Sequence, residues 1–338
     1  MKFERFVLAT MLAVAVALSA SPAGAKTVWK TGTLVPEGVG YATYIKEILL
    51  PGLEEVTDGE ITSKVYWGGI MGDDEDCLKK MHIGQLQSCG MSAQGTLLAC
   101  PEMGVLTLPF MFRGYDEVDY VRDNMFDTFD EIMQSHGMKL MLWLDQGFDQ
   151  IYSTKYPMSE VEQFKDARFI TWYGEIEEEM LAMVGVKPIP VNVPEFNTTI
   201  RQGVADTYLG PAIWCVATQL YSTVRYVNNT DVRYSPGVMV VALDTWNDLP
   251  EEYRKRMSEK RPEWQKPFVE GSRVDNRKCL DAVFQYGVRE VKMKPDELQK
   301  FKDRTRPLWN GMAGKMYSKE LLEELKAELE EYRKSKGQ

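Results

Sequence analysis

The amino-acid sequence predicts an α/β protein made of two lobes, because short apolar strands alternate with amphipathic helices in two successive blocks. Strands interleaved with helices of this length are typical of βαβ units, which build mostly parallel sheets. The second observation is that no low-complexity linker and no clear repeat divides the chain. Several strands that cross between the lobes fit that absence better than one flexible tether. Ligands of such sheets bind in the crevice at the carboxyl ends of the strands.

The first block predicts strands at 28–34, 61–67 and 86–91, and helices at 41–53, 74–83 and 117–135. In the second block we predict strands at 139–144 and 150–153, with a turn at Gly147 between them. Three more strands are predicted at 168–172, 188–191 and 204–209. Its helices are predicted at 176–184 and 195–202, and another follows Pro211. After an apolar strand at 238–243 the chain is predicted to be mainly helical from Pro250. Four leucines share one stripe of 318–334, which predicts a docked amphipathic helix.

We expect the lobes to exchange chain segments. Residues 26–148 and about 238–280 are assigned to the first lobe, and residues 149–237 and about 281–338 to the second. Hinge strands and C-terminal helices would then connect them.

The N-terminus predicts export. Lys2 and Arg5 precede an apolar run at 6–18, and small residues lead to Ala23-Gly24-Ala25. This is the three-part layout of a secretory signal peptide, with cleavage after Ala25. The apolar run is shorter than the ~20 residues that span a bilayer. We therefore expect a periplasmic protein that does not insert into the membrane.

The composition disfavours several functions. With 40 basic and 50 acidic side chains, the net charge of −10 argues against nucleic acid as a partner, because phosphate binding relies on clustered Lys and Arg. Five widely spaced cysteines include no C-x-x-C, and neither His82 nor His136 has metal-ligand spacing. No cofactor and no metal are expected. One disulfide is compatible with the sequence, but its pairing does not follow from spacing.

Several motifs occur in one order along nearly the whole mature chain. A glycine-rich turn with an acidic helix start occupies residues 67–75 and is followed by Ile83-Gly84-Gln85-Leu86-Gln87. Gly68, Gly69 and Gly72 permit a tight turn there, and Asp73 or Asp74 can cap the next helix. The remaining motifs are Leu108-Pro109-Phe110-Met111-Phe112, the segment 185–191, Pro194-Glu195-Phe196 and Gly203-Val204-Ala205-Asp206.

In these motifs the chain resembles the DctP-like solute-binding proteins of tripartite ATP-independent periplasmic (TRAP) transporters. The resemblance implies a two-lobed periplasmic-binding-protein-like fold of type II, with a hinge and closure over one small-molecule solute. It also implies docking on the small and large membrane subunits of a permease. Closure of this kind is a population shift, because the ligand contacts both lobes only in the closed state.

The chain departs from this family at its ligand-anchoring arginine. Most members bind a carboxylate through the arginine of a pattern like K-G-x-K-x-R, and the matching segment here is 164–172. Ile170 occupies the position of that arginine, and Arg168 lies two residues earlier. Residues i and i+2 share a face of a strand, so a register shift would let Arg168 serve instead of remaining a surface charge. Asp149 occupies the position of a second arginine of some members.

Aromatic residues are dense near the same strand ends: Tyr152, Trp172, Tyr173, Tyr208 and Trp214. They predict either ordinary core packing or a cleft that stacks an aromatic ligand or cages a cationic nitrogen, with Asp149 as its counter-charge. Candidate hydrogen-bonding groups are Thr33, Glu37, Ser92 and Gln94. Trp67, Arg168, Ile170 and Gly210 complete the set of candidate ligand-binding residues.

Three classes of function remain open at this point. Within a transport protein, an organic acid follows from the family, and an aromatic or amine-bearing solute follows from Ile170 and Asp149. A sensor that presents its ligand to a membrane receptor would have the same fold. An enzyme would need an acid–base pair, for example among Asp145, Asp149 and Glu175. The sequence contains no G-x-S-x-G, H-E-x-x-H or phosphate loop, so we expect no enzyme.

Overall fold

A computed structural model describes residues 26–38, 40–172 and 174–337. The predicted signal peptide, residues 1–25, and Tyr173 lie outside these residues. The strands are β1 (Thr27–Thr33), β2 (Ile61–Tyr66), β3 (Ser88–Met91), β4 (Met138–Ser153), β5 (Ile170–Thr171), β6 (Ile189–Pro190), β7 (Thr207–Gly210), β8 (Tyr226–Ala242) and β9 (Arg289–Val291).

The helices of the first half begin with α1, which runs from Gly40–Tyr44 through a π-helical turn at Ile45–Leu49 to Leu50–Val56. They continue with α2 (Asp74–His82), α3 (Ala93–Ala99), α4 (Tyr115–Ser135), α5 (Glu175–Met183) and α6 (Val193–Arg201). Those of the second half are α7 (Ala212–Ala217), α8 (Leu243–Asn247), α9 (Glu251–Gln285), α10 (Pro295–Thr305), α11 (Leu308–Gly311) and α12 (Lys319–Ser335). Short 3-10 turns occupy Pro101–Thr107, Val161–Asp166 and Leu220–Ser222. No helix in the described residues is both long enough and apolar enough to cross a membrane.

The main sheet has the strand order β2-β1-β3-β8-β4-β7, with β9 paired to β8. β1 is parallel to β2 and β3, as predicted for βαβ units. β8 is antiparallel to both β3 and β4, and β4 is antiparallel to β7. The sheet is therefore mixed, because two long neighbouring strands run in opposite directions through its centre. A second, two-stranded sheet pairs β5 with β6 in parallel.

The long strands β4 and β8 connect the two lobes. β8 pairs with β3 at residues 238–241, and its other end pairs with β9 at residues 226–228. β4 pairs with β7 at residues 150–153. The predicted turn at Gly147 is wrong, because β4 is continuous through it. A register shift between Asp145 and Gly147 accommodates one extra residue, and Gly147 takes a φ of +126° there.

Three buried clusters form the core. One surrounds Trp29, Trp264 and Phe268, and a second contains Trp172 and Phe196. The largest joins α4, β4 and α12 and extends across both predicted lobes. The lobes therefore share much of their apolar packing along the central strands.

The last helix confirms the predicted amphipathic stripe. Leu321, Leu322, Leu325 and Leu329 of α12 are all buried. α12 packs against α4, and Arg333 donates from Nε to Glu117 Oε1 at 2.7 Å. This contact crosses the predicted division, which places α4 in the first lobe and α12 in the second, so the lobe boundaries stay a prediction.

Helix α9 also spans the predicted lobes. Its 35 residues reach roughly 50 Å at 1.5 Å per residue. It packs against α1, β4 and α7. The predicted helical character beyond Pro250 is confirmed, and α9 packs along the central strand β4.

Candidate functional site

A cavity of about 120 Å³ lies at the carboxyl ends of β1 and β3, where the fold class predicts a ligand. Residues from both predicted lobes line it. The side of the first lobe provides Thr33, Leu34, Val35, Pro36, Tyr41, Ile45, Gly90, Met91, Ser92 and Phe268. The opposite side provides Trp172, Val193, Pro211, Ile213, Trp214 and Ala217, and the central strands provide Leu144, Gln146, Gly237, Val238 and Met239.

The wall of this cavity is uncharged. None of the described residues that line it is Asp, Glu, Lys, Arg or His. A carboxylate buried there would lack a cationic partner, which is a costly arrangement. The cavity therefore suits an apolar or aromatic body with a small number of hydrogen-bonding groups.

Ser92 contributes a hydroxyl to the first-lobe wall, and Asp74 contacts that hydroxyl from behind the wall. Ser92 caps α3, because its Oγ accepts from Gly95 N at 3.2 Å. The same hydroxyl donates to the carboxylate of Asp74, the first residue of α2. Burial raises the pKa of Asp74 to about 6, although the hydrogen bonds from Ser92 act in the opposite direction. Ser92 is therefore fixed in position by two helix starts.

Thr33 and Gln146 are held by backbone groups. Thr33 Oγ1 accepts from Val35 N at 3.2 Å, and Gln146 Oε1 accepts from Ala93 N at 2.9 Å. The second bond connects a central strand to the first turn of α3 and fixes which way the Gln146 amide faces. Both side chains are thus preorganised on the cavity wall.

Two tryptophans form the aromatic side of the cavity. Trp172 and Trp214 stack with ring centroids 5.1 Å apart and an interplanar angle of 29°. Trp172 Nε1 donates to Leu209 O at 3.0 Å. Trp214 Nε1 is buried, and it has no hydrogen-bond partner among the described residues. The indole N–H of Trp214 is therefore a donor that an acceptor on a ligand could satisfy.

The other predicted aromatics lie behind this wall. Tyr152 and Tyr208 stack at 4.9 Å with an interplanar angle of 7°, and Phe196 contacts Tyr208 edge-on. Ile170 is fully buried in the same cluster. Gly210 is also buried, and a Cβ there would lie 3.5 Å from the Trp172 ring. These residues support the tryptophans without lining the cavity themselves.

Asp149 is paired inside the protein and does not line the cavity, which corrects its predicted role as a counter-charge. Its Oδ2 accepts from Arg233 Nε at 2.7 Å, and its Oδ1 accepts from Ser235 Oγ at 2.7 Å. Arg233 also donates from Nη2 to Glu177 Oε1 at 3.0 Å. All three charged side chains are fully buried. The pKa of Asp149 is raised, because the effect of burial exceeds the opposite effect of the nearby Arg233 guanidinium.

Glu177 connects this buried group to the cavity wall. Its Oε2 accepts from Thr171 Oγ1 and from Trp172 N, both at 2.9 Å. The sequence analysis missed both Glu177 and Arg233. Glu177 gives no signal because it stands in an acidic helix, and Arg233 lies in a polar run that does not resemble a strand.

The remaining polar candidates lie away from the cavity. Arg168 is half exposed and pairs with Asp206 at 3.3 Å, which corresponds to the surface-charge alternative. Glu37 is exposed and pairs with Lys46 at 2.7 Å. The Lys46 ammonium also lies 5.4 Å from the Trp67 ring centre. None of the three predicted residues Glu37, Trp67 and Arg168 lines the cavity.

A second recess of about 230 Å³ shares Trp172 with the cavity. Gln94, Thr171 and Asn192 line it together with two carboxylates, Glu178 and Glu195. The described lining residues include no cation. The charged side chains that line the recess beside Trp172 are therefore both carboxylates.

The carboxylates proposed for an enzyme are separated or neutralised. Asp145 accepts from Tyr234 Oη at 2.6 Å and from Arg273 Nε at 2.7 Å, and Arg122 also pairs with it. Asp149 is held by Arg233, and Glu175 is exposed at the start of α5. They do not form an available acid–base pair in a cleft.

One group of side chains could hold a metal ion. Ligand atoms of Cys100, Glu102 and His136 lie within 4.8 Å of one another. Glu102 Oε2 is 2.9 Å from His136 Nε2, and it accepts from Cys100 Sγ at 3.6 Å. Burial raises the pKa of Cys100 to about 12, so the thiol stays protonated at neutral pH. Hydrogen bonds already satisfy this group, and it lies beyond the far end of α3 from Ser92.

Comparisons with known proteins agree with this architecture. Residues 45–319 match the DctP family of bacterial extracellular solute-binding proteins, family 7. The chain is 22% identical over 313 residues to a solute-binding protein of Chromohalobacter salexigens, covering 89% of each chain. The fold matches the sugar acid-binding protein DctPAm of Advenella mimigardefordensis in complex with galactonate (TM-score 0.84, 17% identity, 91% of this chain and 99% of that one). It also matches a TRAP periplasmic solute-binding protein of Desulfovibrio salexigens with bound orotic acid (TM-score 0.82, 18% identity, 90% and 99%).

The fold and the cavity between its lobes are those of a solute-binding protein. This chain belongs to the DctP family, the solute-binding proteins of TRAP transporters.

Proposed function

We propose that this protein is the periplasmic component of a TRAP-type transporter, and that it captures one small organic solute by closure of its lobes. The observation that carries the proposal is the cavity whose wall combines Thr33 and Ser92 with Trp172 and Trp214. A solute that contacts both sides stabilises the closed state over the open one. The closed form then delivers the solute to the small and large membrane subunits of the permease.

The solute class follows from the wall of the cavity. The structural relatives from Advenella and Desulfovibrio hold galactonate and orotic acid, which favours an organic acid by family membership. Ile170, which the family resemblance places at the anchoring arginine, lies in an apolar cluster and offers no charge to a carboxylate. The described walls of the cavity and of the recess around Trp172 offer two carboxylates and no cation. We therefore favour a neutral or amine-bearing solute with an aromatic ring or a flat apolar body over a free carboxylate.

Aromatic stacking and one hydrogen bond would provide most of the recognition. The Trp172–Trp214 pair offers a π-face to a ring, and a nitrogen cation over such a face gains about 0.5–2 kcal/mol. Trp214 Nε1 would donate to a carbonyl, hydroxyl or ring acceptor of the solute. A buried donor left without a partner costs about 1–3 kcal/mol, so this bond selects for solutes that have the acceptor.

The solute class is tested by calorimetric titration with pairs that differ in one group: orotate against uracil, and benzoate against benzamide and benzylamine. We expect the uncharged or cationic member of each pair to bind more tightly, by tenfold or more. Tighter binding of the carboxylates would overturn this solute class and leave the transport role intact. Mass spectrometry of small molecules that co-purify with the protein identifies the natural solute directly.

The transport role has a separate test. X-ray scattering with and without the identified solute should show a smaller radius of gyration in its presence. The solute should then enter vesicles that contain the membrane subunits only when this protein is added. Binding without uptake would favour a sensor that presents its ligand to a receptor, and turnover of the solute by the purified protein would indicate an enzyme.

A further inference from the structure

The sulfur atoms of Cys77 and Cys89 both lie next to Gly32 of β1. An ideal Cβ placed on Gly32 would lie 2.9 Å from Cys77 Sγ and 3.7 Å from Cys89 Sγ. Cys77 belongs to α2, and Cys89 belongs to β3, which pairs directly with Gly32. Both sulfurs therefore lie within contact distance of the same point, in space that only a residue without a side chain leaves open.

The two thiols also interact with each other. Both side chains are buried, with relative exposures of 2% for Cys77 and 0% for Cys89. The hydrogen bond between them lowers the pKa of Cys77, whereas the same bond and burial raise the pKa of Cys89. The Cys77 thiolate is thus the more easily formed of the two, and the thiolate is the reactive species in disulfide exchange.

We propose that Cys77 and Cys89 form an intramolecular disulfide bond in the exported protein. The structure holds both residues as buried thiols whose sulfurs contact the same point beside Gly32. Outside the cytoplasm the environment is oxidising, and it reaches these two thiols while the chain folds, before they are buried. The inference requires export, which membership of an extracellular family supports, and it does not require any particular solute.

The reaction is an exchange with an incoming disulfide, supplied by a thiol–disulfide oxidoreductase or by oxidised glutathione. The Cys77 thiolate attacks one sulfur of that disulfide, a mixed disulfide forms, and the other sulfur leaves as a thiolate. The Cys89 thiol then loses its proton and attacks Cys77 Sγ, which releases the second thiol of the oxidant. The protein loses two protons and two electrons, and the oxidant is reduced to two thiols.

The bond would connect the two elements that hold Ser92 in place on the cavity wall. β3 leads into Ser92, and α2 begins at Asp74, which accepts the hydrogen bond from the Ser92 hydroxyl. A covalent bridge between α2 and β3 limits how far these two residues separate when the lobes open. It closes the segment 77–89, and a loop of this length stabilises mainly by restricting the unfolded chain.

Peptide mapping of the protein isolated from the periplasm tests the inference. The protein is denatured without reductant, alkylated with N-ethylmaleimide and digested, and the peptides are analysed before and after reduction. We expect a linked pair of peptides that contains Cys77 and Cys89, and three alkylated cysteines out of the five in the sequence. Five alkylated cysteines, or a link between Cys215 and Cys279, would overturn the proposal.

Thermal unfolding provides the second measurement. We expect reduction to lower the Tm of the periplasmic protein by about 5 °C, as expected for the loss of a bridge that closes a short loop. The Cys77→Ser/Cys89→Ser double variant should melt near the reduced protein and should not respond to reductant. Cys100→Ser is the matched control, because Cys100 lies beside Glu102 and His136, and this variant should keep the response. An equal response in the double variant would contradict the assignment.

Discussion

Arg233 and Asp149 form an ion pair inside the central strands, with Nε and Oδ2 2.7 Å apart and neither side chain exposed. The two residues face each other in the register of β8 with β4. Glu177 contacts the same guanidinium and accepts from the backbone of Trp172, so the pair is connected to the cavity wall by hydrogen bonds. The buried Asp149–Arg233–Glu177 group therefore helps to hold the backbone of Trp172 in position at the cavity.

Replacement of Arg233 by Met should lower the free energy of unfolding by about 3–5 kcal/mol, because Asp149 and Glu177 would be left buried without their cation. The free energy of unfolding is measured by urea titration. Arg168→Met is the matched control, since Arg168 is half exposed and pairs with one carboxylate at the surface. We expect the control to lose at most about 1 kcal/mol. Equal losses in the two variants would show that the buried group is not important for stability.

Asp74 should make stability depend on pH. Burial raises its pKa from 3.8 to about 6, so the folded state binds this proton more tightly than the unfolded chain does. The resulting stabilisation is complete below pH 4 and is lost as the pH rises through 6, by up to about 3 kcal/mol.

Asp74→Asn removes this titration, and the difference between the wild-type protein and the variant isolates it from other carboxylates. We expect the wild-type protein to lose stability relative to Asp74→Asn between pH 4 and pH 7, as measured by urea titration. A difference that stays constant over this range would contradict the assignment of the raised pKa to Asp74.

The two tryptophans of the cavity should respond differently to the loss of their N–H groups. Trp214→Phe removes a donor that has no partner among the described residues, so we expect weaker solute binding by about tenfold and little change in stability. Trp172→Phe removes the donor to Leu209 O and should lower the Tm in the absence of solute. Titration calorimetry and thermal unfolding of both variants measure these effects. Unchanged affinity in Trp214→Phe would exclude its indole from the binding site.

Much of the fold could be predicted because its elements carry local signals. The strands of the first block alternate apolar residues, and the leucine stripe of α12 specifies its buried face. The polar half of β8 gave no such signal: residues 228–231 read Asn-Asn-Thr-Asp, and Arg233 follows. That half is a strand because β4 pairs with it along its length, and the buried ion pair compensates for its charge. Tertiary context overrides local preference in such a segment.

The same limit explains the outcome for the candidate site. Thr33, Ser92 and Trp172 lie at or just after the ends of predicted strands, and Trp214 lies in the helix that follows another, which is where the fold class places a ligand. Asp149 is predicted beside the turn at Gly147, but it lies within β4, and its partner, Arg233, belongs to a strand more than 80 residues away. β-Bulges in β4 determine which of its side chains point to each face of the sheet, and the sequence of β4 does not reveal them.

Asn276 should couple the cavity wall to helix α9. Its Nδ2 donates to Gln146 O at 2.7 Å, and its Oδ1 accepts from Ile213 N at 3.0 Å, and both partners line the cavity on different elements. Asn276→Ala leaves the N–H of Ile213 without this acceptor and frees α7 from the central strand. We expect about tenfold weaker solute binding, which corresponds to about 1.4 kcal/mol.

Gln265→Ala is the matched control for this prediction. Gln265 also lies on α9 and accepts from a backbone group of β4, Trp143 N at 2.9 Å, but neither Gln265 nor Trp143 lines the cavity. Asn276→Ala should lose more stability in urea titrations than Gln265→Ala, because Asn276 makes three side-chain hydrogen bonds to backbone and Gln265 makes one to Trp143 N. Only Asn276→Ala should lose affinity in calorimetry. Equal affinities in the two variants would mean that α9 supports the strands without holding the two sides of the cavity together.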